Sequence, residues 1–495
     1  MKRIKWMGAA ALLLLICVLV ACSAPTPISY ERVAQNPISP VPLSCFVQDV
    51  SAEEILLEGA AQANRYLSNS QNAEQEAAQY IYACLMAEQT EIDLSNYQIS
   101  VNRITPLFTD VINRNPDLFF VNSGISYSYT SSGYIVTLKP TYRMTGEQLV
   151  NAREACAWML DEICKGVEPS WSDFEIALYL HDYLCLHFAY DTTYQIYDMY
   201  TFLTEGTGVC QAYTLTYTAL LQRYGIQSDV AVSEQMNHIW NIVMLGGQPY
   251  HVDVTWDDPL PDMQGRALHA NFLRSDAGIS ETGHYAWVSE STCTSDVYDR
   301  TFLVNVEKPF GYTSGHWFYA DGALRAILAA DFTTMRQETV LEIQDKWLSP
   351  NQNAYYVDAF VGAGTYRGNL IYNTPKQIWA YNLQSGVTVE IKVDLPRGLQ
   401  IFDLWVDGDT VHYSVSNAPD GKMQTQSIHI AELADYLLGD ADQNGVVDGR
   451  DVTAILRYLE GLPTVCHIGA SDLDDSGTVD ARDVQILRQL IVENH

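Results

Sequence analysis

Three residue types that together perform nucleophilic acyl chemistry occur within 44 positions of the chain: Cys210, His238 and Asp253. Cys210 follows Gly208-Val209 and opens a helical pattern of Cys210, Tyr213, Tyr217, Leu220, Leu221 and Tyr224 that stops at Gly225. The first turn of a helix has unpaired N–H groups and the positive end of the helix dipole, which favour a thiolate. Position alone makes no nucleophile. Cys210 also needs a base to take its proton and an acid to orient that base.

Both are supplied by a hairpin. His238 to Leu245 and Gln248 to Trp256 alternate around Gly246-Gly247, a two-residue turn signal. With Leu245 opposite Gln248, the antiparallel register sets His238 against Thr255 and Trp240 against Asp253. His238 and Asp253 are then diagonal neighbours on one face, roughly 7–8 Å apart before their side chains converge. His251 shares that face and is an alternative base. His181, His187, His269 and His284 show no metal-ligand spacing and are assigned structural roles. Trp240 and Trp256 are expected in the core.

Residue by residue, the stretch resembles the transglutaminase-like superfamily of papain-like cysteine enzymes. The matching segments are Gly208-Val209-Cys210-Gln211-Ala212-Tyr213, His238-Ile239-Trp240-Asn241, and Tyr250 through Asp258. Looser matches run from Asn115-Pro116-Asp117-Leu118-Phe119-Phe120 through Tyr142 and Tyr190-Asp191 to Phe272-Leu273-Arg274-Ser275-Asp276. The resemblance implies a transglutaminase-like α+β core with Cys210 as nucleophile, His238 as base and Asp253 as orienting acid, and no cofactor for catalysis. It implies attack on a protein or peptide carbonyl, ending in hydrolysis, deamidation or crosslinking. The oxyanion would meet the Cys210 backbone N–H and a side-chain donor, with Tyr190 and Gln211 both open.

A second chemistry closes the chain. Asp440, Asp442, Asn444, Asp448 and Asp451 place side-chain oxygens at positions 1, 3, 5, 9 and 12 of a calcium loop, with Gly445 at 6 and the Val446 carbonyl at 7. Asp472, Asp474, Ser476, Thr478, Asp480 and Asp483, with Gly477, repeat it. Each loop precedes an apolar helical run, so two Ca2+ ions are expected. From Asp440 onward, 11 acidic residues face 4 arginines, so the loops should fold poorly without a cation. Asp rather than Glu at position 12 resembles dockerin, the cellulosome module that docks onto the cohesin domain of a scaffoldin-type protein. In dockerins, positions 10 and 11 help choose the cohesin; here they are Gly449-Arg450 and Ala481-Arg482, which differ from a common hydroxyl pair.

Other elements must carry these sites. Lys2, Arg3 and Lys5 precede an apolar run that ends in Leu19-Val20-Ala21-Cys22, which resembles a bacterial lipobox. The expectation is an exported, cell-surface lipoprotein held to the membrane by lipid on Cys22. Residues 1–21 form its signal peptide and 22–50 a proline-rich linker. Residues 51–165 are an N-terminal extension, helical over 51–90 and β-like from Asp93 to Tyr142, with helical periodicity returning from Thr145. The catalytic domain spans 166–310, with a helix from Asp173 to Phe188. Residues 311–433 alternate aromatic and polar residues between turns, an antiparallel β domain whose three runs fall short of a closed propeller. A small helical module of paired calcium loops occupies 434–495, making the whole an α+β multidomain chain.

Composition narrows the partners. A net charge of −32 speaks against nucleic acid. Beyond the leader, Cys45, Cys84, Cys156, Cys164, Cys185, Cys210, Cys293 and Cys466 show no disulfide-framework spacing. Two alternatives to a docked cysteine enzyme are a catalytically silent adaptor of the same fold and an accessory protein of polysaccharide degradation. The second rests only on the company dockerins keep, since no carboxylate pair stands at glycosidase spacing in the sequence.

Overall fold

The structure is a computed structural model that describes residues 2–4 and 70–493, except 261, 264, 352, 384, 385, 431–438, 443, 445 and 474–477. Residues 5–21 of the leader, Cys22, the 22–50 linker, residues 51–69 of the expected first helix, Asp474 and Ser476 lie outside the described residues. The described residues fall into two compact units, 70–307 in one and 308–493 in the other, which also holds the short strand Lys2–Ile4 paired with Ala354–Tyr356. Both helices and antiparallel sheets are present, an α+β multidomain architecture.

The first unit runs through α1 (Ser70–Met86), β1 (Ile92–Asp93), α2 (Ile104–Arg114), β2 (Val121–Tyr129), β3 (Ile135–Tyr142) and α3 (Gly146–Cys164). It continues through α4 (Asp173–His187), β4 (Ala189–Tyr190), α5 (Met199–Glu205), β5 (Thr207–Gly208), α6 (Cys210–Gln222), β6 (Ser228–Ser233), β7 (His238–Leu245), β8 (Gln248–Val252), α7 (Val254–Asp257) and α8 (Asp276–Glu281). No division separates residues before 165 from those after it, so the extension and the catalytic motifs share one unit. Helix α2 lies where a β-like segment was expected. Its Ile104, Leu107, Phe108 and Val111 are buried at helical spacing, and that periodicity outweighs the β-branched content.

At the centre is α6, with every residue from Cys210 to Leu221 buried. A helix enclosed on all sides must satisfy its polar side chains internally. Tyr217 Oη accordingly donates to the Ala177 carbonyl of α4 at 2.9 Å, and Gln211 Nε2 to Asn113 Oδ1 of α2 at 2.9 Å. Asn241 Nδ2 on β7 donates to the Thr214 carbonyl at 3.1 Å and to Thr218 Oγ1 at 2.9 Å. Helix α4 begins with a capping box in which Ser172 and Glu175 satisfy each other's backbone N–H groups.

The sheet β6-β7-β8 lies against α6. Its hairpin holds the expected register from Leu245↔Gln248 to Asn241↔Val252. There it ends. Asp253 leaves the ladder and caps α7, its side chain accepting the Trp256 N–H at 3.2 Å. The expected His238–Thr255 and Trp240–Asp253 pairs therefore do not form as strand partners.

In the second unit three antiparallel sheets follow one another along the chain: Gly311–Thr313 to Arg336–Glu342, Ala363–Tyr366 to Thr388–Ile391, and Gln400–Asp407 to Gln424–His429. One buried cluster surrounds Trp347 and Phe402, and another Ile401, Val411 and Val415. The terminal helices Gly449–Leu459 and Ala481–Glu493 have their own cluster of Ala441, Ala454, Ile455, Val484 and Leu487.

Candidate active site

The loop before α6 is built for close approach. A Cβ on Gly208 would lie 2.5 Å from Phe202 Cδ2 and 2.7 Å from Ala212 Cβ, so a side chain there would push α5 off α6. Gly208 also pairs with Tyr190 in the β4–β5 bridge. Asp191 gathers the neighbouring loop by accepting the N–H groups of Thr193, Gln195 and Ile196 at 2.7–3.0 Å. The Ile196 carbonyl in turn receives the Val209 N–H at 2.9 Å. Val209 is an N-cap without a side-chain cap, so nothing from its own side chain occupies the amide end at Cys210.

Cys210 is the first residue of α6 and only 2% exposed. His238 is the first residue of β7, and Cys210 is among the groups that act on its imidazole. On the other side of the ring, His238 Nε2 lies 2.5 Å from Asp253 Oδ2, which leaves Nδ1 for the thiol. Burial alone would depress the imidazolium. The Asp253 carboxylate and Cys210 more than offset it, so the His238 pKa is pushed up to about 10. Burial would raise Asp253, but His238 and His284 hold its carboxyl well below the usual range.

Two tryptophans enclose the imidazole. Trp240 is buried and stacks on His238 at 5.4 Å, and Trp256 stacks at 5.5 Å while remaining 39% exposed. The expectation of a core role fits Trp240; Trp256 forms part of the surface over the site. His251, the alternative base, is occupied elsewhere. It accepts the Trp240 Nε1–H at its Nδ1 at 2.9 Å, which puts its own proton on Nε2, 2.9 Å from Asp276 Oδ1.

Sequence reasoning gave His284 no partner. Its Nε2 lies 2.8 Å from Asp253 Oδ2, the oxygen that also meets His238. A second network, equally unforeseen, lies behind the triad. His181 contacts Asp182 at 2.9 Å and Asp257 at 3.2 Å, and His269 Nε2 reaches Asp182 at 2.9 Å. Asp257 also receives the backbone and side-chain N–H groups of Asn271. The His181–Asp257 and Asp182–His269 pairs span 76 and 87 residues, so no local spacing announces them. With acceptors at both nitrogens, His181 is an imidazolium. Burial opposes that charge, but the two carboxylates push its pKa up to about 9.

Removing this cation should leave buried carboxylates uncompensated. His181→Leu is expected to destabilise the first unit by about 3–5 kcal/mol in denaturant unfolding. The sign of the pH dependence follows from the raised pKa. The His181 contribution is complete below the ordinary value of about 6.5 and is lost as pH rises through about 9. Wild type should therefore lose stability between pH 6.5 and 9 more steeply than His181→Leu. Parallel curves for the two proteins would reject the charge assignment.

Residues 161–254, which include Cys210, His238 and Asp253, match the model of the transglutaminase-like superfamily. Residues 438–492 match that of the dockerin type I domain. The chain carries a transglutaminase-like domain and a C-terminal dockerin type I domain. None of the curated proteins matches it. As a class, dockerin type I domains bind calcium and dock onto cohesins.

Asp440, Asp442 and Asp451 offer carboxylate oxygens all within 4.8 Å of one another. Asp451 is fully buried; burial first, and then the crowding charges of Asp442 and Asp440, push its carboxyl up. Such a cluster fits a hard divalent cation, whose charge would relieve the repulsion. Asp451 also receives the Asp442 and Asp448 N–H groups, and Asp483 likewise those of Leu473 and Asp480. Asp448 caps the Gly449–Leu459 helix and pairs with Arg450 at 2.8 Å. Gly449, Arg450, Ala481 and Arg482 are all exposed.

Proposed function

We propose that the transglutaminase-like domain is a cysteine acyltransferase or amidase acting on a peptide or glutamine carboxamide, and that the dockerin domain attaches it to a cohesin-bearing complex outside the cell. The observation that carries this reading is the buried His238–Asp253 pair at 2.5 Å, with Cys210 at the start of α6 raising the basicity of the same imidazole. In the proposed reaction Cys210 gives its proton to His238 Nδ1 and the thiolate attacks the carbonyl carbon. As the tetrahedral intermediate collapses, His238 returns that proton to the departing amine or ammonia, leaving a thioester on Cys210. Water or an amine then attacks the thioester, again losing a proton to His238, which restores the thiol. Water yields hydrolysis or deamidation; an amine yields a crosslink.

The backbone N–H at Cys210 is proposed to serve the oxyanion together with Tyr190. Gln211 is the weaker candidate, because its amide is engaged by Asn113. Tyr190 lies in register with Gly208, two residues before the nucleophile, and burial and then Cys210 push its phenol far up, so it remains an O–H donor. The reaction is tested by incubating the full chain with a glutamine peptide and a primary amine while following ammonia release and amine incorporation. Release that depends on His238 supports the proposal. A fold that binds peptide with neither outcome would make it the silent adaptor.

The dockerin domain is proposed to hold two Ca2+ ions, one through Asp440, Asp442, Asn444, the Val446 carbonyl, Asp448 and Asp451. The other would use Asp472, Asp474, Ser476, the Thr478 carbonyl, Asp480 and Asp483. Gly449, Arg450, Ala481 and Arg482 are proposed to face the cohesin, and Cys22 to carry the membrane anchor. At free calcium a thousandfold above Kd, each ion should stabilise the module by about 4 kcal/mol. Chelation should therefore lower its melting transition and abolish cohesin binding while leaving the reactivity of Cys210 unchanged. Calorimetry with and without chelator checks this; transitions that all stay in place would exclude folding coupled to calcium.

A further inference from the structure

The triad ends at Asp253, yet the hydrogen bonds do not. Asp253 is 1% exposed; its Oδ1 accepts the Trp256 N–H at 3.2 Å, and its Oδ2 lies 2.5 Å from His238 Nε2 and 2.8 Å from His284 Nε2. One carboxylate oxygen thus serves two imidazoles. Its two partners come from distant parts of the chain, His238 from the start of β7 and His284 from the turn after α8. His284 also lies beyond the residues that match the family.

We propose that His284 is a positioning residue of this site, fixing the Asp253 carboxylate through the oxygen that His238 also uses and so limiting how strongly Asp253 polarises His238. The inference rests on the reading of Cys210, His238 and Asp253 as the catalytic group.

Three features favour this role over simple packing. The His284 ring is clamped, with Trp256 at 4.1 Å and Trp240 edge-on at 4.8 Å, so its Nε2 cannot swing away from Asp253. Its Nδ1 lies 3.2 Å from Thr282 Oγ1, a hydroxyl it shares with the Ile279 carbonyl at 2.8 Å, so the far side of the ring also faces a polar group. Burial first, and against it Asp253, leave His284 less easily protonated than a free imidazole, so at neutral pH it is an uncharged N–H donor. A neutral donor stabilises the carboxylate without competing for a proton. When Cys210 is a thiolate and His238 an imidazolium, Asp253 leaves one uncompensated buried negative charge, which the His284 N–H spreads.

The other titratable groups around this centre are Cys210 on α6, Cys185 on α4, His251 on β8 and Asp257 on α7, with Asp276 beyond His251. None of these bonds to Asp253 Oδ2 among the described residues, so His284 should dominate the effect. Without its N–H, the charge of Asp253 is concentrated on His238, and the imidazolium should persist to higher pH.

The experiment compares alkylation of Cys210 by iodoacetate and by iodoacetamide as a function of pH, on the full chain, with peptide mapping. The anionic reagent gains from a neighbouring imidazolium and the neutral one does not, so the ratio of rates falls where His238 loses its proton. In His284→Phe the midpoint of that fall should rise by about one pH unit, a tenfold change in the His238 equilibrium. His284→Gln, whose amide N–H can replace Nε2–H, should return it to within about 0.3 unit. If His284→Phe fails to fold, His284→Asn, whose amide falls short of Asp253, serves as the loss variant.

An unmoved midpoint in the loss variant, or a shift that Gln does not reverse, would make His284 a packing residue and overturn the proposal. His238→Ala separates the two readings. The fall in the ratio should vanish there; if it persists, the His238 assignment itself is wrong and the role of His284 fails with it.

Discussion

Asp253→Asn should leave the fold in place and reduce turnover by about 10⁴-fold. The carboxylate accepts three N–H groups, from Trp256, His238 and His284. An amide of the same shape can still cap α7 with its carbonyl oxygen, so the local backbone should hold. Its NH2 group would then face His238 Nε2. A donor there forces Nε2 to become the acceptor and moves the ring proton to Nδ1, the nitrogen that must take the Cys210 proton. The base is blocked although the geometry survives. Thr255→Val, on α7 but outside the three contacts, should change turnover less than threefold. Rates for both variants, with melting curves, check this; equal losses would show that Asp253 acts only by holding the backbone.

Cys210→Ala should be the most damaging substitution, lowering turnover by about 10⁶-fold to the level left by binding and the oxyanion contacts. Its cost in stability should be small, because the side chain is short and its apolar cluster is small, with Val230, Ile239 and Val232. Intact folding with no detectable thioester by mass spectrometry is the expected pair of results.

How much of this was legible in the sequence follows the range of each interaction. Cys210 and His238 announce themselves locally, through a glycine before a helical pattern and through the alternation about Gly246-Gly247, and the register from Leu245↔Gln248 is the one observed. The end of β8 was not legible. Val252, Val254 and Thr255 have strand propensity, but the Asp253 side chain offers the Trp256 N–H a cap, and the chain turns into α7 at once. Asp253 still meets His238, through the cap and not through the predicted diagonal. His284 and the His181–Asp182–Asp257–His269 network were invisible for another reason. Apart from the adjacent His181 and Asp182, their partners are 31 to 87 residues apart, and only the packed unit brings them together.

The calcium loops are the opposite case. Their ligand types are dictated at fixed offsets, so Asp440, Asp442 and Asp451 could be named from spacing, and the structure brings these three together. The exposed ends of the same helices carry no such local rule, which is why spacing alone left the cohesin type undefined.

The most direct test of the central claim is to find which thiol reacts. Among the described residues there are seven free cysteines, and exposure alone would favour Cys164 and Cys466, both half-buried, over Cys210. Burial pushes Cys156 and Cys293 up to about 12 and raises Cys164 and Cys185 as well, so these remain protonated at neutral pH. The measurement is stoichiometric labelling of the native full chain with iodoacetamide at pH 7, followed by peptide mapping, in wild type and His238→Ala. The account predicts that Cys210 takes most of the label despite its burial and loses it when His238 is removed. Labelling that follows exposure, or a Cys210 rate indifferent to His238, would contradict it.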